Sequence, residues 1–166
     1  MTATLSEIDD SVPTEEKIAE AIKKLRRNRS GGPSRIRVEH PKGWLAAAKI
    51  GEMAEEKGEE KTEAEEEGGE LWGKVAKITQ TAFREGKLAE EATWQTVVLI
   101  PKGKRSFKGI GLVEVTWKVV VVILHRRLTT GITFHDALHG FWEGRGTGTA
   151  NLEAKLLQQL AAMSST

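Results

Sequence analysis

Residues 94–113 read Trp94-Gln95-Thr96-Val97-Val98-Leu99-Ile100-Pro101, then Lys102-Gly103-Lys104-Arg105-Ser106, then Phe107-Lys108-Gly109-Ile110-Gly111-Leu112-Val113. Thr96 to Ile100 are β-branched or large and apolar without a break, which favours a pleated strand. Pro101 has no amide hydrogen to give a ladder and ends it. The cations and glycine that follow suit a turn, so the segment predicts a short β-hairpin near residues 95 to 113. Leu112 to Leu128 then poses a choice. Its valines favour strand, but the run far exceeds a mean strand of about 5–6 residues, so a helix is predicted.

Outward from the hairpin, apolar spacing sets the other elements. Glu70 to Gly86 carries Leu71, Val75, Ile78 and Ala82 on one predicted stripe, with Gly86 as its C-cap. Pro13-Thr14-Glu15-Glu16 predicts a helix start, with Thr14 as N-cap and two acids in the first turn. Ile18, Ala21, Ile22 and Leu25 follow at i, i+3, i+4 and i+7. Ser30-Gly31-Gly32-Pro33-Ser34 stops that helix, and another is predicted from Pro41 through Trp44, Leu45 and Ala48. On the far side, Gly140 to Gly148 is a glycine-rich loop, and Thr149 is predicted to cap a last helix carrying Leu152, Leu156, Leu157 and Leu160. Residues 1–11 read as a tail.

The 166 residues support one domain, helix-rich and of α+β class. With no cysteine, disulfides, thiolate nucleophiles and cysteine-ligated zinc are excluded. The first residues lack the basic and apolar regions of a signal peptide, and no apolar run approaches a membrane span, so an intracellular protein with no membrane partner is expected. The net charge of +1 conceals an asymmetry, because Glu52 to Glu70 holds ten glutamates against Lys57 and Lys61. The rest of the chain is basic. Residues 51–69 have little apolar content and are expected to form a flexible acidic linker or an insertion loop, with fluctuating helix as the alternative. The cations cluster at Lys23, Lys24, Arg26, Arg27 and Arg29, at Arg35 and Arg37, and at Lys102, Lys104, Arg105 and Lys108. Such clustering suits a polyanion, although the first group also sits where a helix C-terminus favours positive charge.

Motifs for chemistry are weaker. His135 and His139 share a helix face at i, i+4, with Glu143 a turn further on. A zinc protease pattern needs glutamate after the first histidine, whereas Asp136 stands there, and no remote ligand is evident, so no metal site is assigned. The loop from Gly140 to Thr149 lacks the Gly-Lys of a Walker loop, and its functional reading is backbone amides and Arg145 approaching a nucleic-acid backbone. No nucleophile elbow occurs. Only three aspartates exist, Asp9, Asp10 and Asp136, so no two-metal catalytic site is expected and no catalytic residue is assigned.

Four blocks in order carry a resemblance: IAEAIKKLRRNRSGGPSRIRVEHPKGWL (18–45), WQTVVLIPK (94–102), SFKGIGLVEVTWKVVVVILHRRL (106–128) and HGFWEGRGTGTANLEAKLLQQLA (139–161). Together they resemble reverse transcriptases of the non-LTR retrotransposon kind. The resemblance implies a fingers-like fragment of a right-hand polymerase: helical fingers over 12–50, the acidic spacer over 51–69, and fingers with the start of the palm over 70–166. The family's catalytic aspartates lie on a Phe-x-x-x-Asp strand and a Tyr-x-Asp-Asp hairpin. Neither pattern occurs here, and there is no tyrosine. The chain is therefore expected to be truncated before them and inactive alone.

The resemblance further implies that Lys102, Lys104, Arg105, Lys108 and Arg145 contact template or incoming nucleotide. Lys108 stands where relatives carry arginine, which keeps the charge but loses the bidentate fork, and Trp142 replaces an arginine of the glycine-rich block. The implied partners are RNA or an RNA–DNA hybrid, deoxynucleotides, and a palm segment or another chain covering the apolar face of Trp117, Val121 and Leu124. Magnesium is implied only for the complete polymerase. Two rival readings are a stand-alone nucleic-acid-binding helical module, and a structural or interaction protein from a decayed element.

Overall fold

A computed structural model describes residues 4–5, 8–103, 105–133, 139–140 and 144–164. Two compact units emerge, one of residues 9–127 and one of residues 1–8 with 128–166. The chain is helix-rich α+β, as the sequence predicts, and among the described residues holds two two-stranded antiparallel sheets, of which the sequence predicts the hairpin. Among the described residues no helix is long and apolar enough to cross a membrane.

In the larger unit, α1 (Glu15–Lys24) starts where expected. Thr14 caps it, its hydroxyl accepting from the Lys17 amide at 3.4 Å, and Ile18, Ala19, Ala21 and Ile22 are buried. Helices α2 (Glu39–Glu56) and α3 (Glu63–Glu85) form an antiparallel pair that α1 packs against. The helix α5 (Val115–Gly131) adds Val115, Val119 and Ile123 at i, i+4 and i+8 to the same core of Ile18, Ile22, Val38, Leu45, Trp72 and Val75. The ambiguous valine run is thus helical, since one face of it meets a helical core.

Three expectations change. The stretch 51–69 is mostly helix, for α2 reaches Glu56 and α3 begins at Glu63. What packs there is small: Gly51, Ala54 and Gly68 are buried, and a side chain at Gly68 would collide with the Ala47 methyl. Close approach of two backbones buries area without large residues. An ion pair of Lys61 with Glu55 at 2.9 Å and the Glu65 carboxylate on the Thr62 amide at 2.9 Å fix the connection. Second, α3 buries Trp72, Val75, Ala76, Thr79 and Ala82, while Ile78 is 44% exposed. The buried face is turned toward Trp72, the larger side chain; the helix still closes at Gly86, whose φ is 67°.

Third, the N-terminal stretch is not a loose tail. Thr4–Leu5 (β1) pairs antiparallel with Ile132–Thr133 (β4) in the smaller unit. In the larger unit, Asp9 accepts from the Ser11 hydroxyl at 2.5 Å and amide at 3.0 Å and pairs with Lys17 at 2.9 Å. Arg127 donates to the Ser11 carbonyl at 2.6 Å and lies 4.7 Å over the Phe83 ring.

These donors, Ser11 first and then Lys17, hold the Asp9 carboxyl well below the usual carboxylate range. The unfolded chain therefore takes up a proton here before the folded one does, and the stabilisation present at neutral pH is lost as pH falls through about 3.9 and below. Thermal melts of the parent should show Tm falling across that acidic range, and Asp9→Asn should lower Tm at neutral pH while flattening the acid dependence. Parallel melting profiles for the two proteins would show that Asp9 does not contribute.

Candidate nucleic-acid interface

Helix α4 (Glu90–Thr93) leads into the hairpin of β2 (Gln95–Pro101) and β3 (Phe107–Val113). The strands pair in register from Gln95 opposite Val113 to Pro101 opposite Phe107, and the Lys102 amide closes the turn on the Ser106 carbonyl at 2.8 Å. Directly opposed residues share a face. One face therefore carries Val97, Leu99, Pro101 and Phe107 across from Gly111 and Gly109, and the other carries Val98, Ile100, Ile110 and Lys108.

Neither face is covered. Leu99 and Phe107 are 62% and 64% exposed on one side, and Ile100 is 45% exposed on the other. The hairpin is a free-standing ribbon that presents both apolar faces and a basic end. Lys102, Arg105 and Lys108 are exposed and gathered at that end, Lys108 directly across from Ile100. Lys104 lies outside the described residues.

Arg145 is half-buried in the smaller unit, in the loop before α6 (Thr147–Ser164). That helix begins two residues ahead of Thr149, so Thr149 is not its N-cap. Its hydroxyl instead folds back on Gly146, accepting from the amide at 2.9 Å and donating to the carbonyl at 2.8 Å. The His139 ring bridges Thr149 Oγ1 at 2.9 Å and the Glu153 carboxylate at 2.6 Å, which ties the loop to the first turns of α6. His135, Asp136, Trp142 and Glu143 lie outside the described residues. Among the described residues no three His, Asp or Glu side chains gather into a metal-binding group.

A further basic surface follows the end of α1. Helix α1 ends at Lys24, so only Lys23 and Lys24 lie in its last turn, and Arg26, Arg27 and Arg29 stand beyond it. The carbonyls at that end are taken by another residue, with Lys42 Nζ donating to Lys23 O at 3.1 Å and Leu25 O at 2.7 Å. The macrodipole thus accounts for two cations and leaves the arginines unexplained. Arg35 adopts φ 61°, a left-handed conformation that costs a non-glycine residue about 1–2 kcal/mol. Positive φ at an arginine is not readable from spacing.

An apolar cleft of about 170 Å³ lies among Ile36, Trp44, Leu71, Ile78 and Val115. Its two charged neighbours are already engaged, Lys74 with Glu70 at 2.6 Å and Glu114 with the Ser34 amide and hydroxyl at 2.7 and 2.6 Å. It gathers no acid–base pair. Comparisons with protein-family models, with curated proteins and with solved structures find no match to this chain.

Proposed function

We propose that this chain is a fingers-like segment of a reverse transcriptase of the non-LTR retrotransposon kind, supplying template and nucleotide contacts to RNA-templated DNA synthesis. One observation carries the reading: a free-standing β-ribbon bears Lys102, Arg105 and Lys108 together at its exposed end. Long cationic side chains on a projecting turn can reach a phosphate backbone without entering a groove. Phosphoryl transfer and its magnesium ions belong, in this reading, to the palm of the complete polymerase, and no step of that chemistry is assigned to these residues.

The test is a salt titration. Lys102→Gln with Lys108→Gln should weaken binding to an RNA–DNA hybrid whatever its sequence. The slope of log affinity against log salt should shrink by about one to two units, because each phosphate contact releases condensed counterions. Folding should be unaffected, since both side chains are exposed. Parallel titration curves with equal affinities would remove the hairpin from the contact surface.

A second reading has its own support. On α5, Trp117, Val121 and Leu124 are 38%, 44% and 43% exposed and lie on one stripe, which fits an interaction protein whose partner covers them. In the polymerase reading the palm covers the same stripe. A parent that binds no hybrid at any salt concentration would favour the interaction protein.

A further inference from the structure

We infer that the loop between α1 and α2, residues 25–38, is a second phosphate-gripping surface, and that it and the hairpin turn mark the two ends of one nucleic-acid footprint. The inference deepens the nucleic-acid reading proposed above and rests on it.

The loop concentrates cations on a backbone that is held at several points. Arg26, Arg27, Arg29, Arg35 and Arg37 are all exposed, and among the described residues none of the five stands within ion-pair distance of a carboxylate. The charged groups that do reach the loop engage its backbone or Ser34 instead. Glu39 accepts from the Asn28 amide at 2.6 Å, Glu114 accepts from the Ser34 amide and hydroxyl, and Lys118 donates to the Ser30 carbonyl at 3.2 Å. Glu39 is drawn below the usual carboxylate range first by that amide, with Arg37 and Arg27 near enough to add to it, so one carboxylate partly offsets the five cations. The result is a pinned backbone with five outward guanidinium groups. A guanidinium fork matches a phosphate bidentately, and preorganisation reduces the ordering cost of binding.

Placement joins the loop to the ribbon. The backbone of Gly32 packs against Val113 and Glu114, where β3 ends, so closely that an added Cβ would lie 2.7 Å from the Glu114 nitrogen. Lys108 lies five residues up that strand, about 17 Å away at strand rise. Both basic segments therefore border one strand, at its two ends, within the length of a short duplex. The partner is a nucleic-acid backbone and not a bilayer. Within the loop Val38 is buried and Leu25 and Ile36 are half-buried, which leaves Pro33 but no large exposed apolar side chain to enter a membrane interface.

The experiment uses the full chain, fluorescence anisotropy, and a labelled RNA–DNA hybrid of about 12 base pairs, so that both ends of the footprint fit. Arg27→Gln, Arg29→Gln and Arg35→Gln together should lower affinity at least about tenfold at about 0.1 M salt and flatten the salt slope by about two to three units. Combining them with the hairpin pair should flatten it further. Arg35→Gly separates binding from folding. Glycine relieves the left-handed backbone, so Tm should hold or rise while affinity falls. If the loop variant binds like the parent while the hairpin variant weakens, the loop inference is overturned and the polymerase-fingers reading stands. A parent that binds no hybrid overturns both. Parent binding to phosphatidylserine vesicles that is lost in the loop variant, with hybrid binding unchanged, would overturn the nucleic-acid assignment in favour of a membrane surface.

Discussion

Ile22→Ala is expected to cost the larger unit about 3–4 kcal/mol, read as a lower denaturant midpoint with an unchanged m-value. Ile22 is 0% exposed and sits on the face of α1 that joins the core of Trp72, Val75 and Val119. Truncation removes three carbons from water-free surroundings and leaves a void that helices on several sides cannot all close. At about 2–4 °C per kcal/mol for a chain of this size, Tm should fall by about 6–16 °C. Leu156→Ala is the control. Leu156 is 50% exposed on α6, and its loss should move stability by about 0.5 kcal/mol or less. Equal losses from the two substitutions would contradict this account of the core.

Gly68→Leu should be the second large effect, about 3 kcal/mol or more, because α2 and α3 approach at that point with no room for a side chain. The Ala47 methyl already fills the space a Cβ would take, so the helices must separate and the burial of Gly51 and Ala54 further along loosens with them. Gly68→Ala carries a smaller version of the same conflict, offset by a helix-propensity gain of about 1 kcal/mol. Ala47→Gly should recover part of the loss in either background. That coupling, measured in a double-mutant cycle, distinguishes a tight crossing from a general intolerance of change at Gly68. Additive effects would show that the two positions do not touch.

Those two positions also explain what the sequence left unread. Large apolar side chains at helical spacing announced α1, and an unbroken β-branched run announced β2, because in both cases the residues that pack are the ones a pattern counts. Between residues 51 and 69 the packing residues are glycine and alanine among glutamates, and a composition reading takes that for solvent. The face of α3 was set one residue off for a related reason, since Trp72 outweighs the nearer aliphatic stripe once a partner helix is present. The exposure of Lys102 and Arg105 was legible because a turn must project its residues, and that of Lys108 because it stands on β3 beside the turn. The arginine loop was only half legible. Its cations could be counted, but their being surplus to helix α1 depends on Lys42, nineteen residues after Lys23, taking the carbonyls.

The contact between Arg126 and Glu20 spans 106 positions of sequence, and Lys118 reaches back 88 to Ser30. A chain leaving the ribosome at about 5–20 residues per second therefore carries Ile18 and Ile22 for about 5–20 s before Val119 and Ile123 arrive to cover them. In that interval α1, α2 and α3 can associate through short connections, whereas docking of α5 must wait and must close the longest loop of the unit. The order of synthesis leaves the helical trio to form first and α5 to seal it, with the arginine loop reaching its final shape only at that last step, when Glu114 meets Ser34.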